Sequence, residues 1–244
     1  MRNIRLDISY DGTRYQGWQR LGNSGETIQG KIETALTRIL NEPIQISGSG
    51  RTDAGAHAKG QVANFHCRSD MSCPEILSQL RRYLPGDIGI ESCQEAPERF
   101  HARLNAKSKT YCYRVWNSEG PCVFQRRYVY EVPEALDLDA MEQAASHLLG
   151  RHDFAPFCTN AGKKKSTVRT VTELRIQRVG REVRFYVSGD GFLYNMVRIM
   201  VGTLLEVGTG KRTAESVKAL FDGKRAEAGF LPPAKGLCLE EVQY

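Results

Sequence analysis

No two of the seven cysteines are spaced as a CxxC pair. They stand at positions 67, 73, 93, 112, 122, 158 and 238, an odd number. The N-terminal MRNIRLDISY runs into a strand pattern with no signal peptide before it. Free thiols in a reducing cytoplasm are therefore expected, and a disulfide framework is not. The five histidines also lack ligand spacing, so no metal is expected. The longest apolar stretch, 192–205, is too short to span a bilayer and contains Arg198. A soluble chain is the expectation.

Nucleotide and hydrolase signatures are missing as well. GSGRTDAG (48–55) is not GxGxxG, because its third glycine is displaced. There is also no parallel βαβ unit to hold a dinucleotide. VGTGK (207–211) lacks the upstream glycine and the following Ser or Thr of a phosphate-binding loop. SYDGT (9–13) has Ser9 where a DxDGT phosphatase signature needs its nucleophilic aspartate. No GxSxG elbow occurs. No nucleotide cofactor is expected.

What is present is an ordinary α+β pattern. Ile4–Tyr10 alternates as a strand. Thr27–Asn41 carries one apolar helical face of Ile28, Ile32, Ala35, Leu36, Ile39 and Leu40. Ile44–Ser47 and Gln61–Cys67 read as strands, Cys73–Leu84 as a helix capped by Ser72, and Ile88–Gln94 as a strand. That order, β-α-β-β-α-β, is the ferredoxin-like split motif. The second half has a similar outline. Lys109–Trp116, Val171–Val179, Glu182–Val187 and Leu237–Val242 read as strands, and Asp139–Leu149, Phe192–Val207 and Ala214–Phe221 as helices. The expected fold is two ferredoxin-like (RRM-like) halves, 1–105 and 106–244. Each has a mainly antiparallel sheet flanked by helices, and an active-site cleft lies between them.

Two long basic stretches contain no acid, 99–118 and 154–172. The first carries Arg99, Arg103, Lys107 and Lys109, and the second carries Lys163, Lys164, Lys165 and Arg169. Basic runs are usually solvated loops, but they also suit a phosphate backbone. The net charge of +6 permits a nucleic-acid partner without requiring one. Asp53 is the single acid of GSGRTDAGAHAKG (48–60). Beside glycine, an Asp is commonly a turn residue. Held over a cleft, it can also be a nucleophile or a general base. Arg51 lies two residues earlier, on the same side of an extended chain. Arg198 is the one charge between Asp190 and Glu206, in the most apolar helix of the chain. A buried guanidinium needs a carboxylate, whether in a structural ion pair or as the partner of a catalytic acid. Tyr111 and Tyr113 share one face of KTYCYRV (109–115), where a tyrosine can pack in a sheet or stack on a base.

These residues, in order, resemble the tRNA pseudouridine synthase A family over nearly the whole chain. The resemblance rests on DISYDGTRYQGWQR (7–20), GSGRTDAGAHAKGQV (48–62), AKSKTYCYRV (106–115), GRHDFAPFC (150–158) and GFLYNMVRIMVGTLLEVGTGK (191–211). Ala56 departs from the valine common in the family, and Cys112 from a basic or aromatic residue. The resemblance implies an isomerase that converts uridine to pseudouridine without a cofactor. The N1–C1′ bond breaks, the uracil turns, and C5 bonds to C1′. Asp53 becomes the catalytic aspartate, attacking C1′ or C6 or taking the C2′ proton. Arg198 pairs with it, Tyr111 stacks on the uracil, and Arg51 braces the gap left by the flipped base. The implied substrate is tRNA at uridines 38 to 40 of the anticodon stem-loop, and the implied assembly is a homodimer. Lys163, Lys164, Lys165, Arg169, Arg103 and Lys109 are candidate RNA contacts. His57 reads as structural. A non-catalytic RNA binder would need the basic runs but neither Asp53 nor Arg198. A hydrolase with an aspartate nucleophile would need a second acid or a metal cluster, and none is evident.

Overall fold

A computed structural model describes residues 1–22, 24–159 and 166–244. The chain is α+β and forms two compact units, Met1–Lys107 with Cys238–Tyr244, and Ser108–Leu237.

In the first unit, β1 (Arg2–Tyr10) is followed by α1 (Ile28–Leu40), β2 (Ser47–Gly48), β3 (His57–Cys67), α2 (Cys73–Tyr83) and β4 (Ile88–Ala96). β1 pairs antiparallel with both β3 and β4. β2 pairs antiparallel with β3, Ser47 facing Asn64. The ferredoxin-like order read from the sequence is therefore the order found here. The core side of β1 is Ile4, Leu6 and Ile8, all with no exposed surface. α1 buries Ile28, Ile32, Leu36 and Leu40. Its ends are set locally: the Thr27 hydroxyl accepts the Gly30 N–H at 3.2 Å, and Asn41 leaves the helix at φ 52°. α2 has a full capping box between Ser72 and Glu75, with Pro74 in its first turn.

The second unit contains β5 (Ser108–Trp116), β6 (Tyr130–Glu131), α3 (Leu138–Ser146), β7 (Gly150–Asp153), β8 (Val168–Val179), β9 (Glu182–Gly189), α4 (Met196–Gly208) and α5 (Ser216–Ala219). The strand order β5-β9-β8-β7 is antiparallel throughout, and β6 adds in parallel to β5. Tyr113, Phe185, Phe154 and Phe157 are among its fully buried side chains.

Four expectations change. The strand expected over Ile44–Ser47 pairs only from Ser47 onward. Side chains of α1 take the donors it would need: Ile44 N–H donates to Thr37 Oγ1 and Ile46 N–H to Glu33 Oε1. β3 begins at His57, four residues before Gln61, so the glycine-rich turn is shorter than its composition suggests. The helix expected from Phe192 starts at Met196, because Asn195 sits at φ 65° and breaks the helical path. The last strand, β10 (Leu237–Gln243), pairs in parallel with the start of β3, Cys238 facing His57. Residues 238–244 thus belong to the first unit and not to the second half, as the boundary at 105/106 would have it.

Candidate active site

Asp53 sits in the segment joining β2 to β3, which is held on both sides of it by hydrogen bonds. Ser49 N–H donates to the Val62 carbonyl at 2.7 Å, and its hydroxyl to Gln61 Oε1 at 2.6 Å. The Gln61 amide donates in turn to the Gly50 carbonyl at 3.1 Å. The Thr52 carbonyl accepts the Trp18 N–H at 3.1 Å, and the Thr52 hydroxyl meets the buried Tyr10 hydroxyl at 2.8 Å. Burial pushes the Tyr10 hydroxyl well above the ordinary tyrosine range, so it stays protonated and able to donate. The Asp53 carbonyl accepts the Ala56 N–H at 3.1 Å, closing a turn over Ala54 and Gly55. Gly55 lies at φ 79°, which only glycine adopts without strain. Its N–H donates to the Tyr15 carbonyl at 3.2 Å. The Asp53 side chain is half-buried, while Arg51 and Ala54 are exposed.

The backing for this turn is the segment 10–18, whose part the sequence did not disclose. Gly12–Arg14 forms a 3-10 turn capped by Asp11. The Tyr15 hydroxyl donates to Asp87 Oδ1 at 2.5 Å, and Arg14 Nε to Asp87 Oδ2 at 2.8 Å. Burial raises the Asp87 carboxyl, but these bonds outweigh it and hold the group below the usual carboxylate range. The Tyr10 and Trp18 rings lie 6.0 Å apart.

Tyr111 and Arg198 belong to the second unit. Tyr111 is buried on β5, opposite Val187, and meets the Phe192 ring edge-to-face at 5.3 Å. Tyr113, two residues on, donates its hydroxyl to the Pro233 carbonyl at 2.7 Å. Burial raises its pKa strongly, and its role is structural. Arg198 lies in the first turn of α4 and is half-buried, not engulfed as the apolar sequence around it suggests. Its Nε donates to the Pro232 carbonyl and one terminal nitrogen to Asn195 Oδ1, both at 2.9 Å. The Asn195 amide donates to Thr159 Oγ1 at 2.9 Å. The residue that delays the helix thus also orients the guanidinium.

Among the candidate RNA contacts, Arg103 is exposed and Lys109 is half-buried on β5. Arg169, on β8, is half-buried and donates to the Ser166 carbonyl at 3.0 Å and the Val168 carbonyl at 2.6 Å. Lys163, Lys164 and Lys165 lie outside the described residues. Among the described residues, no group of three or more His, Cys, Asp and Glu could hold a metal ion, and no helix is long and apolar enough to cross a membrane. All seven cysteines are free thiols.

Comparison with known proteins gives this arrangement a family. The profile described as tRNA pseudouridine synthase matches residues 8–128 and 144–244. The chain is 47% identical to "tRNA pseudouridine synthase A 2" of Clostridium perfringens (strain 13 / Type A), with both chains fully covered. It is also 47% identical to "tRNA pseudouridine synthase A" of Bacillus sp. (strain KSM-64), again over the whole of both chains. "tRNA pseudouridine synthase A" of Acetivibrio thermocellus matches at 45% with the same coverage. Among solved structures, a chain of the "Crystal Structure of a Cbf5-Nop10-Gar1 Complex" aligns with 97% of this chain and 48% of its own, at a TM-score of 0.42 and 15% identity, too distant to bear on the argument. The matches in sequence are complete, and the chain belongs to the tRNA pseudouridine synthase family.

Proposed function

We propose that this pseudouridine synthase acts on uridines 38 to 40 of the tRNA anticodon stem-loop, with the Asp53 carboxylate as its catalytic group. The observation that carries the reading is the turn itself. A single acid is held by bonds to residues on both sides of it, and its own side chain is left at the half-buried surface. A reacting group fixed in this way loses little freedom on meeting its substrate.

The reaction is an isomerisation. The N1–C1′ bond breaks, the freed uracil turns, and C5 bonds to C1′ and gives up its proton. N1 ends protonated, so atoms and charge balance with no cofactor. The uridine must leave its stack to present C1′ and C6. Arg51, exposed two residues before Asp53, braces the space it vacates. Tyr111 offers its ring to the uracil, and Arg198 orients the Asp53 carboxylate. Support for these three roles is the family resemblance of the residues, joined for Arg198 to a guanidinium already fixed by Pro232 and Asn195.

Several adjacent target positions require reading shape and phosphates more than base edges. Lys163, Lys164, Lys165, Arg169, Arg103 and Lys109 are the proposed backbone contacts, and a homodimer is the proposed assembly.

The test is a set of tRNA transcripts tritiated at uracil C5, each with one of positions 38, 39 and 40 as the sole uridine of the three. Release of tritium from each, and none from a transcript with cytidine at all three, is the expected result. Release that is indifferent to these positions would remove the anticodon stem-loop assignment. A pure RNA binder would release none from any.

A further inference from the structure

His57 has no part in the chemistry described above, yet it is the first residue of β3, four positions after Asp53. It is 6% exposed. Its Nδ1 accepts the Gly12 N–H at 3.1 Å and lies 3.2 Å from Asp11 Oδ1. Accepting the Gly12 N–H uses the Nδ1 lone pair and so belongs to the neutral imidazole with its proton on Nε2, whereas an Nδ1–H would face Asp11 Oδ1 instead. The two segments approach closely here. A Cβ at Gly12 would lie 1.8 Å from the Ala56 carbonyl oxygen, the carbonyl directly before His57. Going back along the chain, the Gly55 N–H reaches Tyr15 and the Thr52 carbonyl reaches Trp18. The anchors on residues 12, 15 and 18 therefore bracket Asp53, and the one at Gly12 is made by a group that titrates.

Protonation would reverse that anchor. Nδ1 would become a donor, Gly12 N–H would lose its acceptor, and the new N–H would turn to Asp11. Asp11 Oδ1 already accepts the Thr13 N–H at 2.9 Å and the Thr13 hydroxyl at 2.5 Å. Ionisable groups near His57 also include Cys238, its register partner on β10, and the Lys59–Glu240 pair at 3.1 Å, which bridges β3 and β10.

We propose that His57 is a positioning residue for the isomerisation: as the neutral acceptor of the Gly12 N–H it sets the height of the Asp53 turn, and protonation releases the turn. The inference rests on the reading of Asp53 as the catalytic carboxylate. It gives the histidine of GAHAKG a role that neither metal binding nor packing requires.

The test compares His57→Ala, His57→Asn, His57→Gln and Asp53→Asn in the full chain, on tRNA tritiated at uracil C5. Turnover number, KM, the pH profile and tRNA binding by filter retention are measured. Asn carries its carbonyl oxygen as many bonds from Cβ as Nδ1 is, Gln one bond further, and Ala has none. His57→Ala is expected to lower the turnover number at least about tenfold, with KM nearly unchanged, because sub-ångström to ångström misplacement of a reacting group costs on that order or more. His57→Asn is expected to recover most of that loss at neutral pH and to lack the part of the acid-side decline that His57 protonation is expected to add to that of the Asp53 carboxylate in the wild type. Wild-type turnover in His57→Ala would overturn the proposal. So would His57→Asn being as impaired as His57→Ala, or an acid limb identical in His57→Asn and the wild type. If His57→Ala does not fold, the other pair decides: equal activity of Asn and Gln would show that an acceptor at the Nδ1 position is not what matters. Retained turnover in Asp53→Asn would remove the Asp53 reading itself, whereas an inactive Asp53→Asn beside a normal His57→Ala would remove only this inference.

Discussion

A single methyl group at residue 12 would place a carbon 1.8 Å from the Ala56 carbonyl oxygen, far inside van der Waals contact. The clash is with backbone, which no rotamer change relieves, so Gly12→Ala must push the 10–18 segment off the Asp53 turn. We expect turnover to fall at least about tenfold while tRNA binding persists, since the loss is one of placement and not of charge. Tritium release beside filter binding checks it, and an unimpaired Gly12→Ala would show that the two segments need not touch. The turn and its acid are legible in the composition of GSGRTDAGAHAKG, because glycine and Asp are informative residue types. The grip on that turn is not legible there. Trp18 to Thr52 and Gly55 to Tyr15 are backbone hydrogen bonds, which leave no residue-type signature. Arg198 is legible as a charge out of place. Its half-buried position is not, because it depends on Asn195 turning the chain at φ 65°.

Elements are legible where their ends are chemical. Thr27 and Asn41 bound α1 as expected, and Ser72 with Pro74 starts α2. They are illegible where a distant side chain intercepts the backbone, as Glu33 and Thr37 do to residues 44–46. In the second unit the pairing of β5 with β9 contains a buried acid between two cations. Glu182, 4% exposed, accepts from Arg114 Nε at 3.0 Å and Arg184 Nε at 2.8 Å. Burial raises the Glu182 carboxyl, but the two guanidinium groups outweigh it and hold the group below the usual range. The sign follows from the depressed native value. The stabilisation is complete above the ordinary glutamate pKa of about 4.3 and is lost as pH falls through the lower native value. Glu182→Gln should therefore cost about 2 kcal/mol near neutral pH, the scale of hydrogen bonds to a charged group. The gap between the two proteins should close as the pH is lowered past that range. Urea unfolding of both across pH 3 to 7 measures this, and a gap that stays constant would show that the ionised form of Glu182 contributes nothing.

At the scale of the molecule, the charge of +6 is a modest excess of 34 basic over 28 acidic residues. Net charge alone does not identify a nucleic-acid enzyme; the distribution points to one, through two long acid-free stretches in one chain. The return of residues 238–244 to the first unit is beyond the reach of local pattern. A strand signal at Leu237–Val242 says nothing of which edge it will join, and here the edge is the start of β3, directly after the Asp53 turn. The unit that carries Asp53 is thus closed by the far end of the chain, and His57 is the residue at which that closure and the turn meet. The proposed chemistry depends above all on the Asp53 carboxylate. Asp53→Asn keeps the size and the backbone of the residue, removes its charge and basicity, and exchanges one acceptor oxygen for an NH2 donor. Turnover of C5-tritiated tRNA by this variant, measured beside its tRNA affinity, should fall by at least about a hundredfold with binding retained, as expected when an acting carboxylate is neutralised. Turnover near that of the wild type would contradict the account.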